Sequence, residues 1–334
     1  MIKINTPEGL EERFTQPAGF RFHSFEREQG RRIRFGSVFP KDSYPDAVVL
    51  CLPGLSECIE KYFETARDLL DKNLAVYIMD WMGQGGSDRY TDNPHKRHSA
   101  GFEEDVKDLA YFYSEYIKHS SVVPDKGRLP LAMLAHSMGG NIGLRFMAEN
   151  PDVVECASIS APMAGIAMLN QIPKPVVRPL AEVFARIAGD KYAFHQYDWG
   201  VNPLHEPGKG IYSNDAARDS LHRQWVDANP DLQIGGVTFG WVRDAVASCQ
   251  KLHKAAPAIQ KHVILGLAEQ DTIVDNDAIR SLHASLPNSK LLEFQNAKHE
   301  ILMETDDIRR EFLNSFYQQI QDNILAKPET LKPF

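Results

Sequence analysis

Residues 131–150 constrain the fold more than any other stretch of this chain. The apolar run Leu131-Ala132-Met133-Leu134-Ala135 stops at His136-Ser137, and Met138-Gly139-Gly140-Asn141 opens an amphipathic segment that Pro151 closes. A buried strand thus feeds a helix with no linker, and one serine occupies the hinge. So tight a turn tolerates only small neighbours, a need met by Ala135 on the strand side and Gly139 on the helix side. A strand passing directly into a helix is the unit of a parallel sheet with crossover helices, which sets the class to α/β.

The same unit recurs along the chain. Ala47–Leu52 reads as a strand broken by Pro53-Gly54, and 62–72 carries Tyr62, Ala66, Leu69 and Leu70 at helical spacing. Leu74–Met79 is the next strand, followed by a loop with Gly83, Gly85 and Gly86 and a helix carrying Phe102, Val106, Leu109 and Tyr113. After the hinge helix, 153–160 is a strand ending at Ala161-Pro162. The pattern resumes with a strand at 263–267, a helix at 278–286, a strand at 290–294 and a C-terminal helix from Asp306. Between 164 and 256 it lapses into amphipathic pieces interrupted by Pro173, Pro175 and Pro179. Structureless loops of roughly ninety residues are foreign to compact domains. The expected architecture is therefore an α/β core, 1–163 and 257–334, with a mostly parallel sheet, helices on both faces and an inserted, mainly helical cap, 164–256. The tail from Ala326 is expected to fray.

Composition excludes several function classes. With 334 residues and 43% hydrophobic content the chain can bury a large core. A net charge of −8 argues against a nucleic-acid partner, since phosphate binding rests on a basic surface. Cys51, Cys58, Cys156 and Cys249 lack zinc or disulfide spacing and are expected to be reduced, mostly buried thiols. The N-terminus has no apolar core after a basic start, and no uncharged apolar stretch approaches about 18 residues, so a cytoplasmic protein is expected. The glycines after Asp80 lack the lysine of a phosphate loop and the helix of a dinucleotide fingerprint, and no histidine pair has zincin spacing. Neither cofactor nor metal is expected; Asp80 is expected to bond nearby amides.

Ser137 invites a test against strand ends, where functional residues of open α/β sheets gather. A nucleophilic serine needs a histidine to take its proton and a carboxylate to orient that histidine. On this architecture the acid comes first and the histidine second. The loop after the 263–267 strand holds Glu269, Asp271, Asp275 and Asp277. Asp275 and Asp277 adjoin the next helix, where capping is the expected role, and Asp271, in the loop proper, is favoured over Glu269. The loop after the 290–294 strand holds His299, alone among the twelve histidines in that placement. His136, on the sharp turn, is read as structural or pocket-shaping, and His98 as a hydrogen-bonded structural residue. An oxyanion needs two amide donors. Met138, after the nucleophile, supplies one and Leu55, in the Pro53-Gly54-Leu55-Ser56-Glu57 turn, the second.

These segments, with Lys61-Tyr62, Asp80-Trp81-Met82-Gly83-Gln84-Gly85-Gly86-Ser87 and Ala297-Lys298-His299, resemble the monoglyceride lipase and bacterial lysophospholipase branch of the α/β-hydrolases. The segment Gly235-Gly236-Val237-Thr238-Phe239-Gly240-Trp241 is similar to bacterial lysophospholipase-like members. The resemblance spans 46–313 and implies a Ser137, Asp271, His299 triad, an oxyanion hole from Leu55 and Met138, and a cap over an acyl-binding pocket. Two positions depart from the family pattern: Pro53 stands where its oxyanion loop begins with histidine, and Ala135 where its elbow begins with glycine.

The expected activity is that of a serine hydrolase cleaving carboxylic esters of single-acyl lipids, a lysophospholipid or a monoacylglycerol. The alternatives on the same fold are a short-chain carboxylesterase, a thioesterase or an acyltransferase. From another class comes a ligand-binding module without turnover. In the insertion, Ile166, Met168, Leu169, Ile172, Val176, Val177, Leu180 and Val183 alternate with Lys174, Arg178 and Arg186. They read as ordinary packing on the core or as a lid that touches a lipid surface, a peripheral membrane contact.

Overall fold

Eight strands build one sheet in the computed structural model, which describes residues 4–27, 30–120, 122–123, 127–201 and 210–326. They are β1 (Arg21–Glu26), β2 (Arg32–Val38), β3 (Ala47–Leu52), β4 (Leu74–Met79), β5 (Leu131–His136), β6 (Cys156–Ser160), β7 (His262–Ala268) and β8 (Ser289–Phe294). Their order is β1-β2-β4-β3-β5-β6-β7-β8. The β1/β2 and β2/β4 pairs are antiparallel and the others parallel. The mostly parallel α/β architecture is as the sequence indicates, with β3 and β4 at the expected bounds.

Every residue of β3, β4, β5 and β6 is buried, as befits strands covered on both faces. Alternate side chains feed two cores. Val48, Leu50, Leu52, Met133 and Ala135 point to one face; Val49, Cys51, Ala132 and Leu134 point to the other. Helices α1 (Phe63–Leu70) and α8 (Asp306–Ile320) contribute Phe63, Leu69, Phe312 and Phe316 to the second core. Helices α2 (Phe102–Phe112), α3 (Ser137–Glu149) and α7 (Asn276–Ser285) contribute Val106, Ile142 and Ile279 to the first. All four cysteines are buried and free.

Three helices lie between β6 and β7: α4 (Lys174–Ala188), α5 (Ala216–Ala228) and α6 (Phe239–Ala255). Here the sequence reading needs a correction. Pro175 and Pro179 do not break α4, which runs through both. Pro175 falls in the first turn, where its missing N–H has no partner to lose. Pro179 forfeits one bond, and both prolines lie on the exposed face, where water reaches the freed carbonyl. Two further differences are the β1/β2 hairpin, which the strand-helix rhythm did not reveal, and the start of β6 at Cys156 rather than 153. Residues 202–209 and the tail 327–334 lie outside the described residues.

Candidate active site

Ser137 stands at the junction of β5 and α3 with φ of +50°, a left-handed backbone that costs a non-glycine residue energy. The kink is enforced from both sides. A Cβ on Gly139 would lie 2.4 Å from the carbonyl oxygens of Leu52 and Pro53, and one on Gly140 would lie 2.2 Å from Ile159 Cγ2. Only glycine lets α3 approach the sheet this closely, so the serine hydroxyl rides clear of the strand ends.

The loops after β7 and β8 bring the two other expected side chains to that hydroxyl. His299 Nε2 lies 3.0 Å from Ser137 Oγ, and His299 Nδ1 lies 2.7 Å from Asp271 Oδ2. Asp271 Oδ1 accepts from the amides of Ile273 (2.7 Å) and Val274 (3.1 Å), which locks the carboxylate's orientation. With Nδ1–H donating to Asp271, Nε2 is left as the acceptor for the serine hydroxyl. Burial disfavours the His299 imidazolium, but the charge and hydrogen bond of Asp271 outweigh it, so its pKa lies above the ordinary 6.5. Burial likewise pushes Asp271 up, yet His299 and the two amides hold it below the usual carboxylate range.

The competing acids have other work. Asp275 caps α7, accepting from the amides of Asp277 and Ala278 at 3.0 and 3.3 Å; Glu269 pairs with Arg280 at 2.6 Å on the surface. His98 Nδ1 bonds Thr238 Oγ1 at 2.8 Å. His136 packs against the His299 ring, centroids 4.7 Å apart, with Nδ1 3.1 Å from the Ser160 carbonyl. Burial drives its pKa down to about 3, so it stays neutral.

The turn after β3 lies opposite the elbow. Gly54 N donates to Glu57 Oε2 at 2.5 Å and Ser56 N to Gln84 Oε1 at 3.0 Å. The amide between them, that of Leu55, has no acceptor among the described residues. The amide of Met138 sits in the first turn of α3, where helix geometry provides no acceptor. Asp80 accepts from the amides of Ile59 (3.0 Å) and Gly86 (2.8 Å), as expected of a structural loop, and also pairs with Arg34 at 2.6 Å.

A polar cluster beside His299 was not legible in the sequence. Lys61 Nζ lies 2.6 Å from both Glu57 Oε1 and Glu300 Oε1, and Tyr62 Oη donates to Glu57 Oε2 at 2.6 Å. Glu57, His136 and Glu300 present ligating atoms within 4.8 Å of one another, but the Lys61 ammonium already serves as their cation. Burial opposes ionisation of Glu57, yet the Lys61 charge, with hydrogen bonds from Lys61 and Tyr62, holds it well below the usual carboxylate range; burial raises Glu300 despite the same lysine. The signal for this cluster was the Glu57-Lys61 spacing of four, read only as part of a motif.

Ser137 and His299 open into a cavity of about 260 Å³ lined by both apolar and charged side chains. Met163, Ile166, Met168, Trp241, Ile273 and Val274 supply apolar lining, and two of its segments are joined by the Ile166↔Val274 bridge and by Ala167 N donating to Ile273 O at 3.0 Å. Glu57, Lys61, Glu300, Asp219 and Arg223 supply charged lining. A larger groove of about 920 Å³ lies between β8 and α8 and contains none of these groups.

Residues 43–306 match the serine aminopeptidase S33 family, well over half of the chain. The chain belongs to this family. Within it, lysophospholipase L2 of Escherichia coli K12 is 30% identical over 84% of this chain and 80% of its own length. Monoacylglycerol lipase of Mycolicibacterium smegmatis is 24% identical over 75% and 79% respectively. A soluble variant of the monoglyceride lipase of Saccharomyces cerevisiae superposes with a TM-score of 0.70 at 18% identity, covering 92% of this chain and 98% of that one, a likeness of fold. This S33 member lies in the lysophospholipase and monoglyceride lipase branch of the α/β-hydrolases and is a serine ester hydrolase. Among its described residues, no helix is long and apolar enough to cross a membrane.

Proposed function

We propose that the protein hydrolyses single-acyl lipid esters, lysophospholipids or monoacylglycerols, through a Ser137-His299-Asp271 triad and an acyl-enzyme. The observation that carries this reading is the continuous chain Ser137 Oγ, His299, Asp271, at 3.0 and 2.7 Å, opening on a cavity lined by both apolar and charged side chains. His299 Nε2 takes the hydroxyl proton as Ser137 Oγ attacks the ester carbonyl. The amides of Leu55 and Met138 hold the oxyanion, and Asp271 stabilises the imidazolium without itself taking the proton. His299 then protonates the leaving alcohol; water, deprotonated by the same nitrogen, releases the fatty acid. An acyl chain fits against the apolar side chains, and a small polar head group fits against Glu57, Lys61, Asp219 and Glu300. Residues 164–256 act as the cap, which adds Ile166, Met168, Trp241 and Asp219, among others, to the lining that the core builds.

The names of the relatives favour the same substrates, and the cap's outer surface favours delivery from a lipid interface. Met168, Val176, Val183, Ile187, Phe194 and Val201 are all exposed, with Ile187 at 79%. In this reading they contact the membrane peripherally. The test is hydrolysis of monoacylglycerol, lysophosphatidylcholine, p-nitrophenyl acetate and an acyl thioester by the purified protein and by Ser137→Ala. Long single-chain esters should dominate and Ser137→Ala should abolish turnover. A maximum at acetate or at the thioester would overturn the substrate assignment, and an active Ser137→Ala protein would overturn the mechanism.

A further inference from the structure

Arg97 is 1% exposed, makes no salt bridge among the described residues, and lies next to the turn that presents the Leu55 amide. A buried guanidinium without a carboxylate partner is costly, so its placement calls for a reason. Each of its three nitrogens makes one contact: Nε to Gln84 Oε1 at 3.0 Å, Nη1 to the His98 carbonyl, and Nη2 against Met138 Sδ at 3.8 Å. Asp105, the strongest opposing charge, is itself pushed up to about 7 by burial, so it compensates the cation only partly. Space for the guanidinium exists because residue 83 is glycine, whose Cβ would otherwise lie 2.8 Å from Nη1.

Gln84, fully buried, is the link to the turn. Its Nε2 donates to the carbonyls of Gly54 (2.8 Å) and Glu57 (2.9 Å), and its Oε1 accepts from Ser56 N (3.0 Å) as well as from Arg97. All four hydrogen-bonding positions of the carboxamide are thus used, three of them on residues flanking Leu55. An amide can face either way, and a donor-only guanidinium admits one orientation: Oε1 toward Arg97. Arg97 therefore reinforces, from outside the turn, the orientation that Ser56 N and the two carbonyls also require, with Nε2 facing the carbonyls. The arginine backbone is held in turn by the cap, since Arg97 N donates to Gly236 O and Thr238 N to Arg97 O, both at 3.0 Å, and Gly236 and Val237 line the cavity.

We propose that Arg97 and Gln84 are positioning residues for the oxyanion hole, Arg97 fixing the Gln84 carboxamide and Gln84 holding Gly54, Ser56 and Glu57 so that the Leu55 amide alone stays free for the oxyanion. This rests on the serine-hydrolase reading above and extends it to two residues that touch no substrate atom. The strut acts on the carbonyl oxygen common to every ester, so its loss lowers the rate constant for chemistry and leaves binding of the acyl chain alone.

The test uses Gln84→Met, Arg97→Met and Arg97→Lys, each with its active sites counted by stoichiometric fluorophosphonate labelling so that turnover is expressed per competent site. The expected result is a kcat per titrated site on the order of ten- to a hundredfold below the parent for both methionine variants. KM should stay within about threefold and the loss should be equal for acetate and long-chain esters. Arg97→Lys, which keeps a donor-only cation, should recover at least part of the Arg97→Met loss. A merely structural role lowers the number of titratable sites and leaves turnover per site unchanged. That result, or a loss confined to KM or to long chains, overturns the proposal. If Arg97→Met does not accumulate as folded protein, Gln84→Met decides by the same per-site criterion. An inactive, unlabelled parent would instead sink the serine-hydrolase reading, so the two failures are distinguishable.

Discussion

In the proposed mechanism His299 accepts the Ser137 proton only as neutral imidazole, which fixes the sign of the pH dependence. Its pKa is raised above 6.5 because Asp271 outweighs the cost of burial, so kcat/KM should fall as pH drops through a midpoint above 6.5. A pH profile with a soluble ester checks this; a midpoint well below 6.5 contradicts it. Asp271→Asn removes the orienting charge and should lower kcat by about 10⁴-fold, with circular dichroism unchanged. Residues such as Ser137, Asp271 and His299 were legible because each sits at the end of a strand, in the order the topology demands. Lys61, Gln84 and Arg97 were not. Their partners come from segments distant in the sequence, and a charged residue destined for the interior carries no local mark that separates it from a surface charge. The free Leu55 amide was within reach of sequence reasoning, but the reason it is free lies in side chains at positions 57 and 84.

At the scale of elements, the elbow depends on the absence of a side chain at position 139. Gly139→Ala places a methyl 2.4 Å from two backbone carbonyls, so α3 must retreat from β3. Overpacking of this kind costs about 1–3 kcal/mol, and the same displacement moves Met138 and Ser137. The expected outcome is a lower melting temperature together with a loss of labelling by fluorophosphonate; retention of both would show that the helix has room to spare. For α4 the exposed apolar row argues for interfacial contact. A Val183→Glu, Ile187→Glu protein should bind lipid vesicles several-fold less tightly while hydrolysing a soluble ester as the parent does. Equal vesicle binding would remove α4 from the interface. This helix also marks a limit of pattern reading: prolines at 175 and 179 look like breaks in the sequence, although one falls in the first turn and the other faces water. The β1/β2 hairpin carries alternating residues, Arg32-Ile33-Arg34-Phe35, whose period-two signal lies outside the strand-helix rhythm of the rest of the core.

On the scale of the whole molecule, the sheet brings together residues 55, 137, 271 and 299, which no local contact could unite, and the segment between β6 and β7 lines the cavity over them. The parallel core was legible from its buried runs, since strands covered on both faces read as unbroken apolar stretches. The path of the segment over the site was not, because its helices are positioned by long-range bonds such as Arg97 to Gly236 and His98 to Thr238. The central claim is that Ser137 becomes covalently acylated during turnover. It is tested most directly by acid-quenching the enzyme during turnover of a long-chain p-nitrophenyl ester and mapping the modified peptide by mass spectrometry, alongside the pre-steady-state burst. The account predicts one acyl group per active site, carried on Ser137 and absent from Ser137→Ala. Hydrolysis that proceeds with no burst and no acylated peptide, or with the acyl group on another residue, would contradict it.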